Sequence, residues 1–204
     1  LLGAPKLPAT TYRDFENYIK ANGGKLNLAH AGLGSASHLC GLMWQSAMKL
    51  DKSMTTIAYR GTGPAMNDLI GGQVDVMCDQ TTNTTSQIEA GRVKAFAVTT
   101  AKPLSGHKLL KDYPSLQDMG LKGFNLTIWH AMYAPKGTPP DVTKKLNEAL
   151  QAALKDPEFI KRQQDLGAMV VSDARVTPAG HKAFVAGEIT KLKTAIEAAG
   201  QFAD

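Results

Sequence analysis

Between residues 26 and 90 the chain repeats one arrangement three times: a short apolar or β-branched run, a turn of glycine or small polar residues, and an amphipathic stretch with helical spacing. Residues 26–30 pass through Gly32 and Gly34 into 37–50. Residues 55–59 pass through Arg60-Gly61-Thr62-Gly63-Pro64 into 65–70. Residues 73–78 pass through Asp79-Gln80 and a run of threonine and asparagine into a short helix ending at 90. Strands alternating with helices of about 10–15 residues predict βαβ units, hence an α/β fold with a mostly parallel sheet and flanking helices. In such a sheet the strand exits gather on one edge, the edge at which ligands bind. The three polar turns are therefore expected on that edge.

The first exit, Ala31-Gly32-Leu33-Gly34-Ser35-Ala36-Ser37, carries the most specific chemistry. Gly32 and Gly34 permit positive φ and close backbone approach, and Ser35 and Ser37 can cap the new helix or donate to a ligand. The first turn of a helix holds N–H groups without intrahelical partners, and its dipole places partial positive charge there. A carboxylate or phosphate is stabilised at such a place. The same passage also serves as a plain connection in α/β sheets. The second exit has the same form, with Pro64 read as the first helical residue, and the third is dense in side-chain hydrogen-bonding groups.

Upstream, Thr10 is read as the cap of a helix over residues 12–21 that ends at Gly23-Gly24. Downstream, residues 93–99 read as a further strand and residues 101–123 as looser chain with a short helix at 116–119. Residues 124–133 are strand-like. After the breaker Pro135-Lys136-Gly137-Thr138-Pro139-Pro140, helices are expected over 142–154, 157–166 and 178–199, with a short strand at 169–171. The shift in composition places a domain boundary near residue 123, giving segments 1–123 and 124–204.

With 204 residues, 43% of them hydrophobic and 20% charged, the chain can bury a core in one domain or two small ones. No apolar run reaches the length of a membrane-spanning helix. The opening Leu1-Leu2-Gly3-Ala4-Pro5 has no basic and apolar signal-peptide pattern. A net charge of +5 suits anionic small molecules or acidic partners. The basic residues are scattered in pairs such as Lys144-Lys145 and Lys161-Arg162, which argues against nucleic-acid binding. Cys40 and Cys78 fit neither a zinc spacing nor a C-x-x-C motif, and stand either as one disulfide or as two buried thiols. No histidine pair has metal-ligand spacing with a carboxylate. His38, one turn into its helix, reads chiefly as a residue bonding nearby backbone. His30 and His130 lie beside strand ends.

Four stretches in order carry a resemblance: residues 26–39, residues 58–65, Asp68-Leu69-Ile70-Gly71-Gly72-Gln73-Val74-Asp75, and Tyr133-Ala134-Pro135-Lys136-Gly137-Thr138-Pro139. Together they closely resemble the Bug family of extracytoplasmic solute receptors of tripartite tricarboxylate transporters, colinearly over essentially the whole chain. The resemblance implies a type II periplasmic-binding-protein fold, a two-lobed clamp closing on a small carboxylate and delivering it to membrane permease subunits. Residues 1–123 match the family's second lobe and 124–204 the segment returning to the first, so the second lobe is complete and the first only partial. The family's N-terminal region, with the loop that supplies the other half of the cradle, has no counterpart here. The hinge strands fall near residues 4–6 and 124–129.

Residue by residue, the resemblance places Ala31, Gly32, Gly34, Ser35 and Ser37 in the carboxylate loop, with N–H groups near Gly34 and Ser35 and both serine hydroxyls as donors. It places Tyr59, Arg60 and Gly61 in another wall, where the family commonly has lysine at the Arg60 position. Asp79 and Gln80 line the pocket where the family has an acidic residue followed by asparagine. The expected ligand is a di- or tricarboxylate, an acidic amino acid or an aromatic acid; the expected location is the periplasm, which favours the Cys40–Cys78 disulfide. No cofactor is expected. An enzyme is disfavoured because G-x-S-x-G, H-E-x-x-H and the Walker lysine are absent and Gly32-x-Gly34-x-x-Ser37 lacks a third dinucleotide glycine. The competing reading is the effector-binding domain of a transcriptional regulator, which would need a helix-turn-helix elsewhere.

Overall fold

The computed structural model describes residues 1–50 and 54–199. It forms two compact units, one built mainly from Leu1–Ile128 and one from Trp129–Ala195. The end of the second sequence segment, residues 200–204, lies outside the described residues.

The first unit is organised on a five-stranded sheet, β1 (Leu2–Gly3), β2 (Asn27–His30), β3 (Thr55–Ala58), β4 (Val76–Met77) and β5 (Lys94–Ala95), in the order β3-β2-β4-β1-β5. β2 is parallel to both β3 and β4, with Ala29 opposite Ile57 on one side and Met77 on the other. β1 is antiparallel to β4 and β5, so it alone runs against the other strands. The sheet is thus mixed, and its parallel part carries all three of the exits read from the sequence.

Alternation along β2 decides what packs where. Leu28 points at α2 (Ala36–Ala47), whose Gly41 lies so close that an added Cβ would sit 2.7 Å from the Leu28 side chain. Ala29 points the other way, into an apolar cluster with Leu2, Ala65, Met66, Leu69, Val74 and Met77 beneath α3 (Thr62–Gly71). Val74 lies in the same cluster as Met77, ahead of the ladder, which begins only at Val76. Ile88 of α4 (Thr81–Glu89) also packs on that cluster. Elsewhere α1 (Tyr12–Asn22) brings Phe15 into stacks with Phe96 at 4.2 Å and Trp44 of α2 at 5.6 Å between ring centroids. Phe15 and Trp44 are wholly buried.

Several local expectations change. The cap of α1 is Thr11, in a reciprocal capping box with Asp14, and Thr10 only adds a hydroxyl bond to the same carboxylate. α3 begins at Thr62, so Pro64 is its third residue, still within the turn whose N–H groups lack helical partners. The strands expected at 73–78 and 93–99 shrink to Val76–Met77 and Lys94–Ala95, with Val98 forming an isolated bridge to Ser115. Residues 116–119 form a turn rather than a helix, and 124–133 and 169–171 pair with no strand. Strand propensity needs a neighbour's hydrogen bonds: Leu126 donates to Thr99 O, and that one contact makes no ladder.

The second unit holds the helices α5 (Pro140–Ala153) and α6 (Pro157–Asp165) and most of α7 (Pro178–Ala199). Trp129 meets His181 and Phe184 edge-on, Tyr133 donates to or accepts from His181, and the Arg175 guanidinium lies over Phe184. None of this unit's residues with described side chains is buried. Among the described residues no helix is long and apolar enough to cross a membrane.

Candidate ligand-binding site

β2, β3 and β4 run in one direction, so the helix after each starts at the same edge of the sheet. Three helix N-termini thereby converge: α2 capped by Ser35, α3 preceded by Gly61, and α4 preceded by Gln80. The caps of α3 and α4 make no side-chain bond. By contrast α1 and α6 are sealed by Thr11 and Asp156. Open N–H groups and three aligned dipoles make this edge attractive to an anion.

The first loop is held from within. Ala31 N–H donates to Ser37 Oγ at 2.8 Å, Ser35 N–H donates to Gly32 O at 3.2 Å, and Ser35 Oγ lies 3.1 Å from Ser37 Oγ while accepting from His38 N–H. Gly34 N–H donates to His38 Nδ1 at 3.2 Å. Gly32 adopts φ 126°, and a Cβ there would also meet Tyr59 O at 3.3 Å, so this position requires glycine. The N–H groups of Gly34 and Ser35 themselves are thus already bonded inside the loop. The groups without a protein partner among the described residues are the N–H of Leu33 and those of Ala36 and Ser37, the first two residues of α2.

The second loop is laced to the first, with Tyr59 N–H donating to His30 O and Gly61 N–H to Ala31 O. Tyr59 does not turn its hydroxyl proton to the edge: it donates to Asp68 Oδ2 at 2.6 Å, and that bond, aided by burial, pushes the phenol up to about 12. Arg60 is exposed and forms no ion pair among the described residues, which leaves a cation beside the loop. In the third loop Thr62 Oγ1 donates to Asp79 Oδ1 at 3.3 Å, while Asp79 Oδ2 is buried without a partner among the described residues. Burial raises the Asp79 pKa, opposed by bonds from the Gln80 backbone, Asn83 and Thr62. A disulfide joins Cys40 in the second turn of α2 to Cys78 beside Asp79, with Cα atoms 6.0 Å apart.

The expected ligand-binding residues, Ala31 to Ser37, Tyr59 to Gly61, and Asp79 with Gln80, thus lie at these three adjacent strand exits, whereas His130 belongs to the second unit. Sequence reading missed Asp68, Thr62 and Asn83 as partners of Tyr59 and Asp79, and no local pattern marks them. His30 and His38 were noted, but not that their rings stack at 4.3 Å and both contact the glycine loop.

Residues 1–201 match the family described as the tripartite tricarboxylate transporter family receptor, TctC. The chain belongs to this family. It is 42% identical to a UPF0065 protein encoded in the TAR-I ttuE-ttuC' intergenic region of Agrobacterium vitis, an alignment covering 98% of this chain and 57% of that protein. Among solved structures it superposes on the periplasmic binding protein BugD with a TM-score of 0.90 and 45% identity, over 98% of this chain and 64% of BugD. It also matches MatC from Rhodopseudomonas palustris with bound malate, with a TM-score of 0.85 and 32% identity, over 96% of this chain and 65% of MatC. The fold is that of the periplasmic binding proteins of this family, and the chain spans about three fifths of the length of these relatives.

Proposed function

We propose that the protein is a periplasmic receptor that captures a small carboxylate for the permease of a tripartite tricarboxylate transporter, without chemistry of its own. The observation that carries this reading is the convergence of three helix N-termini, two of them without side-chain caps, beside the exposed Arg60. Ala36 and Ser37 N–H groups are the donors for one carboxylate, and Ser35 Oγ stands beside them. Asp79 faces the ligand's other end as an acceptor, which favours an acid bearing a hydroxyl or amine over one with bare methylenes. Malate, the ligand bound in the MatC structure, has that hydroxyl. In this reading the sequence segments 1–123 and 124–204 correspond to a complete second lobe and part of a first.

Isothermal titration of the chain against malate, succinate, citrate, aspartate and benzoate tests this. Saturable binding of one or more acids, with the ligand recovered unchanged, is expected. Absence of binding across the panel, or turnover of any acid, overturns it.

A further inference from the structure

His38 is buried, at the third position of α2, and His30 is buried at the end of β2. Their rings stack with centroids 4.3 Å apart and planes 29° from parallel. Each ring is tied to a different glycine of the loop. His30 Nδ1 meets both polar atoms of Gly32, the carbonyl oxygen at 3.0 Å and the N–H at 3.3 Å. A neutral imidazole satisfies one or the other of these in either tautomer, so His30 is a tolerant partner. His38 is a selective one. Its Nδ1 accepts the Gly34 N–H, which requires a bare Nδ1 and places the ring proton on Nε2.

Gly32 and Gly34 both have positive φ, and a glycine in that region has wide conformational freedom unless its peptide is held. Serines hold the rest of the loop: Ser37 takes the Ala31 N–H, and Ser35 takes the His38 N–H. Only the imidazole acceptor fixes the direction of the Gly34 peptide N–H. That peptide lies two residues before Ala36, whose N–H is one of the ligand donors named above.

From this geometry we infer that His38 is a positioning residue of the carboxylate site. By accepting the Gly34 N–H through Nδ1, it holds the glycine loop so that the N–H groups of Ala36 and Ser37 stay directed to the ligand. His30 braces the ring by stacking. This role deepens the carboxylate-receptor reading and rests on it.

The test uses the atom positions of asparagine and glutamine. In His38→Asn the amide oxygen takes the place of Nδ1, in His38→Gln the polar atom takes the place of Nε2, and His38→Ala has neither. Malate affinity measured by titration is expected to fall about tenfold in His38→Ala and His38→Gln, the worth of one hydrogen bond, and to recover largely in His38→Asn. Equal affinity in all three variants, or equal loss in the asparagine and glutamine variants, overturns the inference. Amide hydrogen exchange of the ligand-free protein reports the same bond without a ligand. The Gly34 amide should be protected in the native protein and His38→Asn and unprotected in His38→Gln and, if folded, His38→Ala. An unprotected Gly34 amide in the native protein overturns the positioning role even where malate binds. A native protein that binds none of the acids overturns the receptor reading, while the exchange result still decides the histidine's hold on the loop.

Discussion

At Asp79 burial and charge pull against each other. Burial of the carboxylate, one of whose oxygens lacks a partner among the described residues, outweighs the bonds from the Gln80 backbone, Asn83 and Thr62, and the pKa rises above 3.8. Just above pH 3.8 the folded protein holds the Asp79 proton more tightly than the unfolded chain, so this group's contribution to stability falls as pH rises through the window up to its raised pKa. In Asp79→Asn that component disappears. The urea midpoint of the native protein minus that of the variant, followed upward from pH 3.8, should therefore decline and then level off. A flat difference would show that Asp79 is solvated after all. The same variant tests specificity: it should lose preference for malate and aspartate over succinate, because an acceptor for the hydroxyl or amine is replaced by an amide and a charge repelling the second carboxylate is removed. An unchanged ranking of the acids would remove Asp79 from the specificity argument. Tyr59→Phe complements it. Removing the hydroxyl bonded to Asp68 leaves that partly buried carboxylate less satisfied, so stability should drop by about 1–2 kcal/mol in thermal or urea unfolding, with malate affinity almost unchanged.

Among the elements, the disulfide is a fastening between two of the three loops, since Cys40 belongs to the anion helix and Cys78 precedes Asp79. The sequence separation of 38 residues sets an upper bound of about 4 kcal/mol for its constraint on the unfolded chain. The double variant Cys40→Ser/Cys78→Ser should lose a large part of this in urea unfolding and bind malate more weakly. A loss under about 1 kcal/mol would mean that packing of α2 through Trp44 and Gly41 already holds the two loops together. What was legible beforehand divides along the same lines. The β2-α2-β3-α3 succession could be read because each element is long enough for its period to show, and glycines and caps mark the joins. β1, β4 and β5 have two residues each, too few to carry a period of two, and their existence depends on neighbours far along the chain. The candidate site behaves likewise: its glycines and serines announce themselves locally. The Tyr59–Asp68 and Thr62–Asp79 pairs exist only because the topology brings two strand exits together.

For the molecule as a whole the two units differ in what can hold them folded. In the first, Phe15, Trp44, Phe96, Leu69 and Met77 are almost wholly buried, and each such side chain contributes about 1.5–3 kcal/mol. The second unit has no buried residue with a described side chain, and Met169 is 86% and Ile189 65% exposed. Its ion pairs Lys144–Glu148, Lys161–Asp165 and Arg162–Glu158 are exposed neighbours along single helices, each adding only a few tenths of a kcal/mol. Short helices without a buried face are marginal in water. Hydrogen exchange followed by mass spectrometry on this chain should therefore find peptides from α5 and α6 exchanging at low protection, while those spanning β2 and α2 exchange only through global unfolding. Phe15→Ala should sharpen the contrast by costing the first unit about 3–5 kcal/mol, raising exchange in β2 and α2 while leaving α5 and α6 as they were. If α5 and α6 are instead as protected as β2, an apolar surface absent from the described residues must cover Val142 and Leu146 of α5 in solution, and the exchange pattern would show how far along the chain that cover extends.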